Sequence, residues 1–501
     1  MLPLFLFGFS VSLSSLYCFS KLHEFKVPFP GSDTAFYWYI GSVLKEHGIM
    51  TFHIKQYFFS PLYAFCFYVF SLLGNSVSLA CFFSSFCFLV SGIALFFLVK
   101  EIFNSRVAAI STLLFYIYKP LVFYSFLPLK TMPFILLTLV FLLFTLRGFN
   151  KEKNIYFFLA GLVSSFSLSL EGLFLPVFIT VLCFFIFKGK SYFKRLGFLF
   201  IGFFLGFLPF GLRSYYVSKS FQVAPSLLGI HFYIGNTLGS DGVYKKVKDI
   251  RPNAFGHFYD AKAIAEKETG KKLTPSQVNL FWLKKSFSII TEKPTRFVSL
   301  FLRKILLTVN DFEVPNNFNF YIISKKIPTI RYNIFSFSVL FSFSMAGIVL
   351  YILIERKINL FLLLTLVYSL SLSLFFIASR YRLLLAVFLL PFAGFFVVEL
   401  LRFQNRKILF VSFITGIFAF MLSKIPIFSE QARMTINISY ERRLRYAEIL
   451  DRIDKQYKYA SMERKRKLLL KKAGLFYRFK MEEIAEYLRR NAKNLEGKGE
   501  K

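Results

Sequence analysis

The sequence predicts an all-α polytopic membrane protein: a bundle of about 11 transmembrane helices with an external helical loop domain and a helical C-terminal tail. Three observations carry this expectation. Of 501 residues, 56% are hydrophobic and 72 are Phe, and the mean hydropathy of +0.56 is far too apolar for a soluble chain of this size. The apolar residues come in long runs near bilayer length, not at amphipathic spacing. The 62 Lys and Arg outnumber the 27 Asp and Glu, for a net charge of +35, and they concentrate in alternate connections between the runs. A disordered chain, a secreted disulfide scaffold and an ordinary cytosolic enzyme are excluded by this composition.

The expected spans are 2–19, 77–99, 107–124, 132–146, 155–170, 172–187, 196–212, 333–354, 360–378, 383–401 and 408–423. The first lacks a positive n-region and an Ala-x-Ala-like site, so it reads as an anchor and not a cleaved signal. A further run, 58–73, fits either a surface helix or a span. One set of short connections holds 14 basic residues: Lys100 and Arg106; Arg147, Lys151 and Lys153; Lys188, Lys190, Lys194 and Arg195; Arg356 and Lys357; Arg402, Arg406 and Lys407. The alternating set holds three, Lys130, Arg380 and Arg382. The basic-rich set belongs in the cytoplasm. Glu171 then falls at the outer turn of a hairpin of two short helices, where a charge costs far less than in mid-bilayer. Charge alone leaves two topologies for residues 20–57, outside with 58–73 on the surface, or inside with 58–73 spanning.

Four regions follow: a transmembrane module, 1–212, with a first loop at 20–76; an insert at 213–332; further spans over 333–423; and a tail at 424–501. The insert carries 19 basic and 8 acidic residues. Thr274-Pro-Ser-Gln277 is a capping box with Pro at the first helical position, predicting a helix from about 275 to 291. Pro294 starts another run to about 309, whose Arg296, Ser299 and Arg303 suit an amphipathic helix in the membrane interface. The tail has 21 basic and 11 acidic residues and reads as two or three helices, solvated or lying on the membrane.

Cys18, Cys66, Cys81, Cys87 and Cys183 all lie in apolar runs and read as small hydrophobes. No phosphate-binding loop, dinucleotide fingerprint or His-Glu-x-x-His is present, which argues against a nucleotide-driven pump or a zincin. His47 and His53 with nearby acids are the best metal candidates, but no clear motif supports a divalent ion. Asp33, in Pro30-Gly-Ser-Asp33-Thr-Ala-Phe-Tyr37, precedes a helix-like stretch to about Glu46 and is read either as a helix cap or as a catalytic base.

Four stretches in order resemble polytopic glycosyltransferases of the GT-C superfamily that use polyprenyl-phosphate sugars, near glycosyltransferase family 39, the protein O-mannosyltransferase and lipid A aminoarabinose transferase type. They are the Asp33 loop; Ser60-Pro61-Leu62-Tyr63 leading to Leu73-Gly74; Leu208-Pro209-Phe210-Gly211-Leu212-Arg213, followed by Gly235-Asn236; and Ser379-Arg380-Tyr381-Arg382-Leu383. Arg303-Lys304 with Asn310 and Glu313 is similar to a loop segment of bacterial members. The resemblance covers about residues 1–425 and implies a GT-C-like bundle with an external first loop and 58–73 on the surface.

The resemblance further implies an inverting transferase moving a sugar from a polyprenyl-phosphate carrier to a lipid, glycan or protein hydroxyl outside the cytoplasm. Asp33 would be the general base. Arg380, Arg382, Lys130, Arg303, Lys304 and Arg213 would hold the donor phosphate, with Tyr37, Tyr381, Asn236 and Glu313 as substrate contacts. The expected home is the plasma membrane, with the N-terminus cytoplasmic and the active face and tail outside. Membrane lipids are expected partners and nucleic acid is not, because most of the +35 lies in the two polar regions and at helix ends. The pattern departs where Thr34 follows Asp33 and where Phe59 and Ser60 precede Pro61, positions at which relatives carry charged residues. A transporter or flippase of lipid-linked sugars and a catalytically inactive relative are the alternatives.

Overall fold

The computed structural model describes residues 1–54, 60–189, 192–218, 221–402 and 406–496. Phe59, Lys190 and the start of the 58–73 run lie outside them. Among the described residues the secondary structure is helical apart from one isolated bridge between Val243 and Ile377.

Among the described residues seven helices are long and apolar enough to cross a membrane: Leu2–Ser20, Ser76–Ile102, Thr131–Lys151, Phe193–Val217, Phe337–Glu355, Ser379–Arg402 and Arg406–Ser423. They make the chain a multi-pass membrane protein. The expected 107–124 span is two helices, Ser105–Ile117 and Lys119–Ser125, bent by 62°. Pro120 explains the break at Tyr118: it has no amide hydrogen to bond the carbonyl four residues back, where its ring would also clash in a continuous helix. Three other expected spans are helical but short. Asn154–Leu170 has 17 residues, Phe174–Lys188 has 15 and Leu360–Ser373 has 14. At 1.5 Å per residue these reach about 21–26 Å, short of the roughly 30 Å hydrocarbon core. The count of long helices is therefore seven, or eight with the bent pair, where the sequence reading expected about 11 spans.

Close helix contact organises the bundle. Phe193–Ser218 packs along Asn154–Leu170, and Phe337–Glu355 packs on both Ser379–Arg402 and Arg406–Ser423. The first pair needs glycine on each side. A Cβ on Gly161 would lie 1.9 Å from the Leu199 carbonyl oxygen, and one on Gly202 would lie 2.1 Å from that of Phe158. Small residues that let backbones touch are the usual adhesive of membrane helices, because burial from lipid supplies little drive. Ser379–Arg402 is the most buried of the seven candidate spans, so its first turn is held by protein on several sides.

The polar segments gather at the end of the bundle where Ser379–Arg402 begins. Asp33–His47 and Pro61–Leu73 come from the first loop. The insert supplies Pro275–Glu292, whose capping box forms as the sequence predicts, and Pro294–Val309. The tail forms three helices, Glu430–Lys458, Met462–Arg478 and Glu482–Glu496. They are docked, not merely solvated. His23 meets Asp451 at 2.8 Å, and Arg251 bridges Asp260 at 2.9 Å and Glu483 at 3.0 Å. Trp38 stacks on Phe476 with ring planes 7° apart.

Candidate active site

Asp33 is the first residue of Asp33–His47; Ser32 holds the cap position. A carboxylate there is favoured by the helix dipole. Its Oδ2 accepts from Arg380 Nη1 at 2.5 Å and from Asn317 Nδ2 at 2.9 Å, while the Asp33 amide donates to Asn317 Oδ1 at 3.0 Å. Burial, the largest single influence, works to raise the carboxyl pKa, but the charge and hydrogen bond of Arg380, joined by Asn317 and Lys130, together leave the group below the ordinary carboxylate value. Arg380 Nη2 donates to the Tyr381 hydroxyl at 2.8 Å. Its buried Nε has no hydrogen-bond partner among the described residues.

Two cavities meet at this pair. The larger, about 640 Å³, is polar and is walled by Asp33, Arg380 and Tyr381 on the bundle side, by Tyr244 and His257 of the insert, and by Arg443 of the tail. The smaller, about 220 Å³, is a mainly apolar recess with Leu175, Leu228, Leu374 and Phe375 in its wall and Lys130 and Glu171 at its edge. His231, Phe376, Arg380 and Tyr381 face both. The arrangement is an amphipathic slot with a guanidinium at the seam.

Lys130 sits at the recess, donating to the Leu170 carbonyl at 2.6 Å and lying 3.2 Å from Glu171. Glu171 thus lies at the hairpin turn beside a lysine that offsets its charge. The other anticipated phosphate ligands lie elsewhere. Arg382 is buried, pairs with Glu313 at 2.5 Å, donates to the Asn310 carbonyl and lies over the Phe337 ring at 3.9 Å. It and Glu313 line neither cavity. Residues two apart on a helix face opposite ways, so within Ser379–Arg402 one arginine can meet Asp33 only if the other turns toward Asn310 and Glu313. Removing either member of this buried pair costs about 3–5 kcal/mol by stranding the other charge.

Arg213 donates to the carbonyls of Ile49 and Ile54 at 3.0 and 2.8 Å, tying down the first loop. Arg303 donates to the Asp241 carbonyl at 2.8 Å. Lys304 donates to Asn236 Oδ1 at 2.9 Å, and Asn236 in turn donates to the Phe232 and Leu374 carbonyls. Burial pushes Lys304 down to about 7, with the nearby Arg296 charge acting in the same direction. Tyr37 is buried edge-on against Tyr63, with ring centroids 4.9 Å apart. Of the anticipated residues, then, Asp33, Arg380 and Tyr381 converge on the larger cavity and Lys130 on the recess.

The sequence reading missed Asn317, His231, His257 and the basic residues of the tail as site residues. The rings of His231 and His257 lie 5.4 Å apart, and the Tyr244 hydroxyl is 3.0 Å from His257 Nε2. Burial drives His257 down to about 4 and His231 well below its ordinary value, so both are neutral near pH 7. No local motif marks them; they are brought in by the insert's folding. The rings of His47 and His53 lie 4.3 Å apart. Among the described residues no three His, Cys, Asp or Glu side chains cluster to hold a metal. Asp33 offers one carboxylate beside a guanidinium, which is not a metal-ligand set.

Among curated proteins, none matches the chain by sequence. In structure it is similar to an oligosaccharyltransferase from Archaeoglobus fulgidus tethered to an acceptor peptide, with 14% identity and a TM-score of 0.43 over 92% of this chain and 58% of that one. The archaeal enzyme in complex with an inhibitory peptide and a dolichol-phosphate gives 14% identity and a TM-score of 0.39 over 83% and 56%. The chain spans a little over half the length of that enzyme. Residues 60–212, less than half of the chain, match the family model described as dolichyl-phosphate-mannose-protein mannosyltransferase, in line with the resemblance to GT-C glycosyltransferases that use polyprenyl-phosphate sugars.

Proposed function

We propose that the protein is an integral-membrane glycosyltransferase that moves a sugar from a polyprenyl-phosphate carrier to an acceptor hydroxyl on the extracytoplasmic face of the plasma membrane. The observation that carries this reading is the shared seam: an apolar recess and a polar cavity that meet at Arg380 and Tyr381, with Asp33 2.5 Å from that guanidinium. A lipid phosphodiester of a sugar has the same order of parts. The polyprenyl chain lies in the recess, the phosphate at Arg380, and the sugar in the larger cavity.

The chemistry is one displacement. The acceptor oxygen attacks the anomeric carbon, the bond from that carbon to the phosphate oxygen breaks, and polyprenyl phosphate leaves with the electron pair. The anomeric centre inverts. Guanidinium suits the departing phosphate because it offers paired donors in a rigid fork and keeps its charge when buried. Asp33 takes the acceptor's proton. In the resting pair Arg380 holds Asp33 ionised and weakly basic. A donor phosphate competes for the same guanidinium, loosens it from Asp33 and raises the carboxylate's basicity when the donor is in place. Arg382, paired with Glu313, acts as a positioning residue that fixes the first turn of its helix.

The test is transfer by the purified chain in liposomes carrying a synthetic polyprenyl-phosphate sugar. The expected result is release of polyprenyl phosphate with the sugar on an acceptor, and no use of a nucleotide sugar. Movement of intact donor between leaflets without bond cleavage would instead establish a flippase.

A further inference from the structure

Part of the wall of the larger cavity is built by the tail and the insert, and its charge is one-sided. Lys246, Arg442, Arg443, Arg478 and Lys480 line it together with Arg380, against a single lining carboxylate, Asp33, which Arg380 already neutralises. Arg442, Arg478, Lys480 and Lys246 are exposed. Their side chains make no hydrogen bond or ion pair among the described residues. Arg443 lies over the Phe29 ring at 4.4 Å and donates through Nε to the Pro30 carbonyl at 2.8 Å, and its buried Nη2 has no hydrogen-bond partner among the described residues.

The placement of these cations is fixed by the fold. Arg478 ends its helix, and Phe479 and Lys480 form the turn that follows. Lys480 adopts φ +56°, a left-handed conformation that a side-chain-bearing residue rarely holds. Two anchors keep it there. The Lys480 carbonyl accepts from Asn253 Nδ2 at 2.9 Å, and the next residue's Met481 Sδ accepts from the Gly31 amide at 3.4 Å. The turn is thus clamped to the insert on one side and to the Asp33 loop on the other. Like charges brought together in a concave wall raise the local potential and draw in anions.

We infer that the C-terminal helices form the acceptor-binding half of the site and that the acceptor is anionic, carrying a phosphate or carboxylate group beside the hydroxyl that is glycosylated. This deepens the transferase reading and rests on it for naming the ligand an acceptor. Arg380, proposed to take the donor's phosphate, lines both cavities, whereas the tail's cations line the larger cavity and not the recess, so they serve a second negative group.

The experiment uses the full chain in nanodiscs of zwitterionic lipid and two saccharides that differ in one group, methyl α-glucoside and its 6-phosphate. Binding is measured for the wild type and for the triple variant R442Q/R478Q/K480Q, whose altered side chains are exposed and make no hydrogen bond or ion pair among the described residues. The expected result is binding of the phosphorylated sugar about 10-fold tighter than the neutral one, weakened by salt, and loss of that preference in the triple variant. Saturating polyprenyl phosphate should leave the preference in place. Equal binding of the two sugars, a preference untouched by the triple variant, or displacement of the phosphorylated sugar by polyprenyl phosphate would each overturn the inference. None of these readouts depends on turnover, so their failure is distinct from a failure to transfer sugar.

Discussion

Asn in place of Asp33 slows sugar transfer by about 10²–10⁴-fold, the range for a lost general base, while donor binding is retained or strengthened. The substitution keeps the shape and one oxygen, so the contact from Asn317 Nδ2 survives. It removes the negative charge that occupies Arg380 at 2.5 Å, and an unoccupied guanidinium binds the donor phosphate more freely. Steady-state kinetics with a synthetic polyprenyl-phosphate sugar separate the two effects: kcat falls and the donor KM does not rise. Full activity in D33N removes Asp33 from the mechanism.

Arg380→Ala gives the second large effect. It deletes the cation at the seam of the two cavities, and loss of one such stabilising donor costs about 10²–10³-fold in rate. Arg380→Lys restores only part of it, since an ammonium has the charge but not the paired donors. The variant also changes the pH profile with a defined sign. In the wild type Arg380, with Asn317 and Lys130, offsets burial and holds the Asp33 carboxyl below its ordinary value, so Asp33 stays ionised until the pH falls below the usual carboxylate range. Without Arg380, burial acts with less opposition and the carboxyl pKa rises. The acid limb of the residual activity should therefore move to higher pH in R380A. A limb that stays in place argues that another group sets it.

The disagreements between sequence and structure have physical causes. Apolar runs were legible because a bilayer demands them, and the Thr274 capping box was legible because its four residues contain the whole mechanism. The helix after Asp33 was legible for a similar local reason. The bend at Tyr118 was not, although Pro120 was in view, because a hydropathy run continues smoothly through a kink. Arg380 and Arg382 share the short connection between the runs 360–378 and 383–401, where both can be expected to hold the donor phosphate. Once Ser379 begins a helix, the pair must divide between two faces. Asn317 and Arg443 could not be assigned in advance: Asp33 is 284 residues from Asn317 and 347 from Arg380, and only tertiary folding joins them. The tail looked like a solvated segment because its charge is what a solvated surface carries; its docking depends on partners such as Trp38, Arg251 and Pro30 in distant segments.

The proposed donor lies in the apolar recess with its phosphate at Arg380. The most direct measurement is mass-spectrometric mapping of a photoreactive polyprenyl phosphate cross-linked to the full chain in nanodiscs. The predicted adducts fall on the three segments that wall the recess, around Leu175, Leu228 and Phe375, and they diminish in R380A. Adducts confined to the outward-facing side chains of Arg406–Ser423, such as Phe410 and Phe418, with none on those three segments, would contradict it.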